Sequence, residues 1–318
     1  MSLQYIRRAQ LNVAGTVIEL TGAEDARDDT ALRVRFNIKD STLQAPRVAE
    51  IRITNLNDTT SKKLLGKKGQ TVELNAGYRE GMGRIFKGEI KQVRMGRETP
   101  TETYLDVFAA TQERAYNNAI VSKTLPAGST GQDIYKACLA AMEPFGVKQG
   151  QIPDALAKMK YPRPVTLFGM ARDHLRTLAY SSGCTWNIRD DNLDVIPKDG
   201  ARDGAAIVLT SRTGLIGLPA QTEQGILARC LINTRIGINS TVKIDQKSIQ
   251  QAAQNLSYGG EPFNSEPYLP SLAADGLYRV VGMDHIGDTR GPPWYCELYC
   301  IAKSGAGPTK SQISMGWN

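Results

Sequence analysis

Leu32-Arg33-Val34-Arg35-Phe36-Asn37-Ile38-Lys39 sets an apolar residue against a polar one at every step. Successive side chains of a strand point to opposite faces, so this stretch is expected to be a half-buried strand with a charged outer face. The same period of two recurs in Ala49, Ile51 and Ile53, and again in Val72, Leu74, Ala76 and Tyr78. Residues 84–93 and 103–109 fit two more strands, and a first strand fits 3–20 with a break near Gly15. Asp28-Asp29 and the loop Gly81-Met82-Gly83 supply turn signals. One short helix fits 58–65, with Asn57 as its capping residue. Several short strands with a single short helix predict a small barrel or sandwich over 1–115.

Further along, the period lengthens. Ser129-Thr130-Gly131-Gln132 has the pattern of a capping box, in which the hydroxyl and amide satisfy each other's terminal N–H groups. Ile134, Cys138 and Ala141 follow on one helical face until Pro144 stops the helix. A second helix fits 167–182, with Leu167, Ala171, Leu175 and Leu178 inward, Thr166 as cap and Gly183 as terminator. A hairpin of 184–189 and 193–197 then turns at Asp190-Asp191-Asn192. Residues 116–203 are therefore read as a small α+β domain. From 204 to 303 the chain is β again: Ile207-Val208-Leu209, Gly214–Gly217, 225–231, 241–244, 276–282 and 294–301. Between Asp245 and Gly276 lies a long polar stretch, with a helix expected near 248–256; a loop of that length is usually functional or disordered. The tail 304–318 has no periodicity. The expected class is α+β, mostly β, in the order β, α+β, β, without short-period repeats.

Composition narrows the function. The 318 residues are 41% hydrophobic and 22% charged, ordinary values for a globular chain. No apolar run reaches the ~18 residues needed to span a membrane. Met1-Ser2-Leu3-Gln4-Tyr5-Ile6-Arg7-Arg8 turns polar too early for the core of a signal peptide, so folding in a cytoplasm is expected. The net charge is +7, with most of the excess in the first hundred residues. There the cations alternate with apolar residues along strands, as on the solvated face of a sheet. Lys62-Lys63-Leu64-Leu65-Gly66-Lys67-Lys68 is a basic cluster with no interleaved aromatics to stack bases, so no specific nucleic-acid partner is expected. Five scattered cysteines, Cys138, Cys184, Cys230, Cys296 and Cys300, argue against a disulfide framework. Cys296 and Cys300 share a strand face with Leu298 and read as small core hydrophobes.

Catalytic candidates are few. The two histidines are His174, on the second predicted helix after Asp173, and His285, after Asp284. Asp284-His285 with Cys296 or Ser248 as nucleophile suggests a triad, yet neighbours on a strand point to opposite faces, so Asp284 could not orient His285. No Gly-x-Ser-x-Gly motif occurs, and no phosphate-binding glycine loop with its Lys-Ser/Thr. Two distant histidines and dispersed cysteines offer no zinc set. No enzyme activity, cofactor or metal is expected.

Three stretches carry a resemblance. They are Gly214-Leu215-Ile216-Gly217-Leu218-Pro219 with Thr222–Asn233 and Ile238–Ile244; Gly276–Arg290 closed by Trp294-Tyr295-Cys296-Glu297-Leu298; and the hairpin Trp186–Pro197. In this order, and with the β, α+β, β organisation, the chain resembles the baseplate hub proteins of contractile-tailed bacteriophages, which are related to the hub part of type VI secretion spike proteins. The resemblance implies two tube-like β-barrel domains, 1–115 and 204–303, with the α+β domain 116–203 as decoration. It implies a homotrimer whose barrels form a pseudo-sixfold ring, adapting a hexameric tail tube to a trimeric central spike. Implied partners are the tail tube protein or tube initiator, the spike and other baseplate proteins. The implied location is the virion tail, after assembly in the host cytoplasm. His285 would then end a strand, and 287–293 would be a turn. Tyr258, Phe263 and Tyr268 recur in the polar stretch and are the expected partner-binding residues, since exposed aromatics anchor interfaces. The alternative is a peripheral tail protein that uses this loop to bind a host-surface carbohydrate.

Overall fold

The computed structural model describes residues 6–19, 31–79, 81–202, 204–222, 225–245, 248–251, 272–273 and 275–303. Strands account for 50% of the chain and helices for 17%, so the class is α+β and mostly β. The chain divides into two compact units, a larger one of Ser2–Lys198 with His285–Trp294 and a smaller one of Asp199–Asp284 with Tyr295–Asn318.

In the larger unit the first strands are β1 (Arg7–Val13), β2 (Thr16–Glu19), β3 (Val34–Ser41) and β4 (Val48–Thr54). Helix α1 (Asp58–Leu64) follows, then β5 (Thr71–Tyr78), β6 (Gly83–Arg97) and β7 (Thr103–Ala110). The order across the sheet is β3-β4-β7-β6-β5-β1-β2, antiparallel throughout. The predicted break near Gly15 is a two-residue turn. Ala14 and Gly15 both have positive φ (51° and 83°), the primed geometry whose twist suits a hairpin. Asn57 caps α1 as expected, its side chain accepting from the Thr59 N–H at 2.9 Å. Alternation is strict in β3: Val34, Phe36 and Ile38 are buried while Arg35, Asn37 and Lys39 face outward. With Leu11, Val13, Ile51, Ile53, Val72, Leu74, Phe86 and Val107 they form the core, where each fully buried large side chain contributes roughly 1.5–3 kcal/mol.

The helical part of this unit contains α2 (Glu113–Asn118), β8 (Ile120–Leu125), α3 (Gly131–Met142), β9 (Lys148–Gln149), α4 (Asp154–Lys158), β10 (Val165–Met170), α5 (Ala171–Ser181), β11 (Cys184–Arg189) and β12 (Asn192–Pro197). Two readings of the sequence need correction here. The capping box sits one residue later than expected, with Thr130 as cap and the Asp133 carboxylate accepting from the Thr130 N–H at 2.8 Å. The helix expected over 167–182 is a strand followed by a helix: Thr166 pairs with Thr124 and Leu167 with Lys123, and α5 begins at Ala171. Positions 167, 171 and 175 are four apart, a spacing that stays on one face at period two and nearly so at 3.6, which is why the boundary was invisible. Gly183, with φ of 65°, does end the helix. The β11–β12 hairpin turns on Asp190 and Asp191, both at positive φ (48° and 68°). Its tip is tied to the sheet, since the Asp191 carboxylate accepts from Lys87 Nζ at 2.5 Å and Gln112 Nε2 at 2.7 Å. Tyr135, Cys138, Met142, Leu175, Leu178, Trp186, Leu193 and Val195 form the core of this part.

The smaller unit contains β13 (Ile207–Leu209), β14 (Leu215–Thr222), β15 (Gly225–Leu231), β16 (Thr241–Ile244) and β17 (Gln250–Gln251). It also holds most of β18 (Leu277–Asp288) and β19 (Trp294–Ala302), whose adjoining ends belong to the larger unit. The order is β17-β14-β15-β19-β18, with β16 on β18 and β13 on β16. Gln250–Gln251 is a strand parallel to β14 rather than the helix expected near 248–256; residues 252–256 lie outside the described residues. Strand β18 runs six residues beyond the expected end at Gly282. His285 is therefore interior to a strand, and Gly287 and Asp288 are strand residues rather than part of a turn.

Candidate interaction surfaces

The aromatic residues expected to bind a partner, Tyr258, Phe263 and Tyr268, lie outside the described residues. The candidates for chemistry lie within them and form no reactive group. His285 is 2% exposed inside β18, and Cys296 is wholly buried in β19 opposite Cys230. His174 is half-buried on α5. The hydrogen bond to Cys296 and burial together push the Cys230 thiol well up, and burial alone pushes Cys138 and Cys300 to about 12. Thiols held protonated in this way are poor nucleophiles. Among the described residues no group of His, Cys, Asp or Glu could hold a metal ion, and no helix is long and apolar enough to cross a membrane.

The polar face of the larger sheet carries an ordered array. The registers place Arg35 beside Arg52, Arg52 beside Asp106 and Asp106 beside Arg94, a row across four strands. Asp106 has no solvent exposure. Its carboxylate accepts from Arg52 Nε at 2.6 Å, from the second Arg52 nitrogen at 2.9 Å and from Arg94 Nε at 3.1 Å. Each guanidinium also lies over a ring, Arg52 at 4.2 Å from the Tyr104 centroid and Arg94 at 4.8 Å from that of Phe108. Glu98 closes the row through Arg35 and Arg52. A recess of about 330 Å³ beside it is lined by Arg35, Asn37, Glu50, Arg52 and Asp288 among others. Its cations and carboxylates oppose one another, and no nucleophile faces a base. Arginine with aromatic rings is instead the composition that interface cores favour.

A second constellation lies where the end of β18 runs beside β3. Asp288 is gripped by Arg33, whose Nε and terminal nitrogen donate at 3.1 and 2.6 Å, and by the Arg290 N–H at 2.9 Å. Burial pushes the Asp288 carboxyl up, but these bonds outweigh it and hold the group below the ordinary carboxylate range. Trp294 meets Phe36 edge-on at 5.4 Å and donates its indole N–H to the Gly77 carbonyl at 3.2 Å. Arg7 donates to the Gly291 and Pro292 carbonyls at 2.6 and 2.9 Å while lying over the Trp294 ring. Strands β3 and β1 are separated by four strands in the sheet, yet both reach the β18–β19 turn. The sheet is thus curled, with its ends bridged by side chains; the strand order among the described residues is open.

A profile of the baseplate hub gp41 family matches residues 13–258, well over half of the sequence. The chain belongs to the baseplate hub gp41 family. Solved structures agree with this at the level of fold. This hub chain aligns with the 43 kDa tail protein of prophage MuSo2 from Shewanella oneidensis at a TM-score of 0.58 and 10% identity, over 93% of this chain and 98% of that one. It aligns with a tail protein from Neisseria meningitidis MC58 at 0.55 and 11% identity, over 93% and 96%. An E. coli type VI secretion component, described as similar to the T4 tail proteins gp27 and gp5, aligns at 0.49 and 10% identity over 87% and 76%. No curated protein matches the sequence. The resemblance seen in residues 186–197, 214–244 and 276–298 was therefore to the right family.

Sequence reasoning missed several residues that the hub structure makes prominent. Asp106 sits at an outward position of β7, and only the register reveals two arginines above it. Phe168 and Ile120 are 78% and 62% exposed on a two-stranded ribbon that the long-helix reading concealed. The signal available was Val165-Thr166-Leu167-Phe168, a short β-favouring run after Pro162 and Pro164.

Proposed function

We propose that this hub chain is a non-enzymatic structural component of a contractile phage tail, placed on the tail axis between a hexameric tube and a trimeric spike. In this reading three chains assemble around the axis within the virion baseplate, and each contributes two barrel-like segments, 1–115 and 204–303, to a pseudo-sixfold ring. The segment 116–203 decorates it, and Tyr258, Phe263 and Tyr268 contact the spike, the tube or a neighbouring copy. The observation that carries the proposal is the family match over residues 13–258. Two further features support it. Each compact unit contains its own run of mostly antiparallel strands, which would make two β segments per chain and six per trimer. Strands such as β2 and β13 are paired on one edge among the described residues, and edges of this kind are commonly covered by neighbouring subunits in closed assemblies.

Electron microscopy of the assembled tail, with this chain labelled, tests the reading. Three copies on the axis, between tube and spike, are expected. Six copies in one ring, or copies at the baseplate periphery, would refute the adaptor role.

A further inference from the structure

The ribbon of β8 and β10 is built on one side and bare on the other. Val121, Leu125 and Leu167 point inward to the helical core. The register places Ile120 beside Met170, Ser122 beside Phe168 and Thr124 beside Thr166 on the opposite face. That face has an apolar end, with Phe168 78% and Ile120 62% exposed, and a polar end where the two threonine hydroxyls meet at 3.2 Å. Among the described residues β8 and β10 pair only with each other, so each has an outer edge whose backbone groups face no strand. A two-stranded ribbon is marginal by itself and can accept a further strand.

Charge selects what could lie there. Beyond Leu125 the two strands continue as a looser pair: the Gly128 N–H donates to the Tyr161 carbonyl at 2.8 Å, the Tyr161 N–H donates to the Ser129 carbonyl at 2.9 Å, and Lys160 bridges Thr130. This end carries Lys158, Lys160 and Arg163, with Lys123 in β8 itself, all exposed and none in an ion pair among the described residues. The acids near these cations are Asp154, at the start of the same short helix as Lys158, and Asp133, which Lys123 helps to hold below the ordinary carboxylate range. Asp173 is already engaged by Arg176 at 3.1 Å. A second copy of this ribbon, added antiparallel about a two-fold axis, would set these cations beside its apolar end and offer them no carboxylate.

We propose that this ribbon is a docking site for an extended segment of another protein, acidic at one end and apolar at the other. The segment adds as a strand to an open edge, packs its apolar residues on Phe168 and Ile120 and sets its carboxylates against Lys160 and Arg163. Six ribbon residues span about 20 Å, enough to read such a segment of similar length. This inference does not rest on the hub's position in the tail.

The test uses the purified full chain and two synthetic nine-residue peptides, titrated calorimetrically. Both carry alternating valine and threonine in one half; one has glutamates in the other half and its twin has lysines. The glutamate peptide is expected to bind, the lysine twin at least ~10-fold more weakly, and Phe168→Ser to weaken the glutamate peptide by about 10-fold, a difference of about 1.4 kcal/mol. Phe168 is exposed, so the variant should keep the parent circular dichroism spectrum, which is checked first. Equal binding of the two peptides, no binding of either at millimolar concentration, or indifference to Phe168→Ser would overturn the proposal. So would sedimentation showing self-association that Phe168→Ser abolishes, which would make a second copy the occupant.

Discussion

Replacing Asp106 by Asn tests whether the buried carboxylate organises the arginine row. The change keeps the shape, removes the charge, and turns an NH2 toward guanidinium groups that can only donate. Three bonds from cationic donors end on this carboxylate, and bonds to charged groups each contribute roughly 1.5–3 kcal/mol. Simple addition would overshoot, because the Arg52 and Arg94 side chains are 25% and 52% exposed and recover water when released. The expected loss is therefore about 2–3 kcal/mol, below the ~3–5 kcal/mol of a fully buried broken pair. Trp186 and Trp294 are both buried in the larger unit, so tryptophan fluorescence during urea unfolding reports the right region. With a slope of about 2–3 kcal/mol/M, the midpoint should fall by about 1 M. Arg94→Gln should cost least, since it leaves the two-pronged Arg52 contact in place, and Arg52→Gln should fall between. An Asp106→Asn midpoint within about 0.2 M of the parent would mean that the row is ornamental and the reasoning wrong.

Gly287→Ala should destabilise the larger unit by about 1–3 kcal/mol in thermal melts, because the new Cβ would lie 2.2 Å from a Phe36 ring that Trp294 backs. Gly287→Ala combined with Phe36→Leu should recover part of that loss; no recovery would point to a backbone effect. Acid should weaken the same unit through Asp288 and Asp191. For each, burial pushes the carboxyl up, but hydrogen bonds and nearby cations outweigh it and leave the folded group below its ordinary value. Their contribution is then complete above the ordinary aspartate pKa of about 4 and is lost as pH falls through the depressed folded value. Melts between pH 7 and 3 should show this decline below about pH 4, shallower in Asp288→Asn. His174→Ala, His285→Ala and Cys296→Ala should remove no chemical step; the last two, buried, should lower the melting temperature. A hydrolytic activity lost in a variant that still folds and assembles would contradict the structural role.

Much of the fold was legible where one periodicity operated alone. Strands β3 and β4 have a buried face and a wet face, so Val34, Phe36 and Ile38 declared themselves. The Asp190-Asp191 hairpin was equally plain, since few residue types tolerate positive φ twice in succession. Legibility failed where polar residues go inside or apolar ones stay outside. Met283-Asp284-His285 looked like the end of a strand, yet all three are buried and the strand continues. In Ile120–Leu125 the apolar residues do not alternate, because Ile120 is exposed at the ribbon's bare face. The candidate surfaces were harder still. Asp106 meets Arg94 across the β6–β7 hairpin and Arg52 from a strand much earlier in the chain, and both meetings are set by strand register, which no local pattern encodes.

The sulfur atoms carry a consequence of their own. All five cysteines are free and buried, and their environments disfavour the thiolate wherever a shift is resolved. A thiol that is neither exposed nor ionised exchanges slowly with small disulfides and peroxides. In the fold as it stands no disulfide joins one element to another, and the packing around each sulfur, rather than a cross-link, shelters it from exchange.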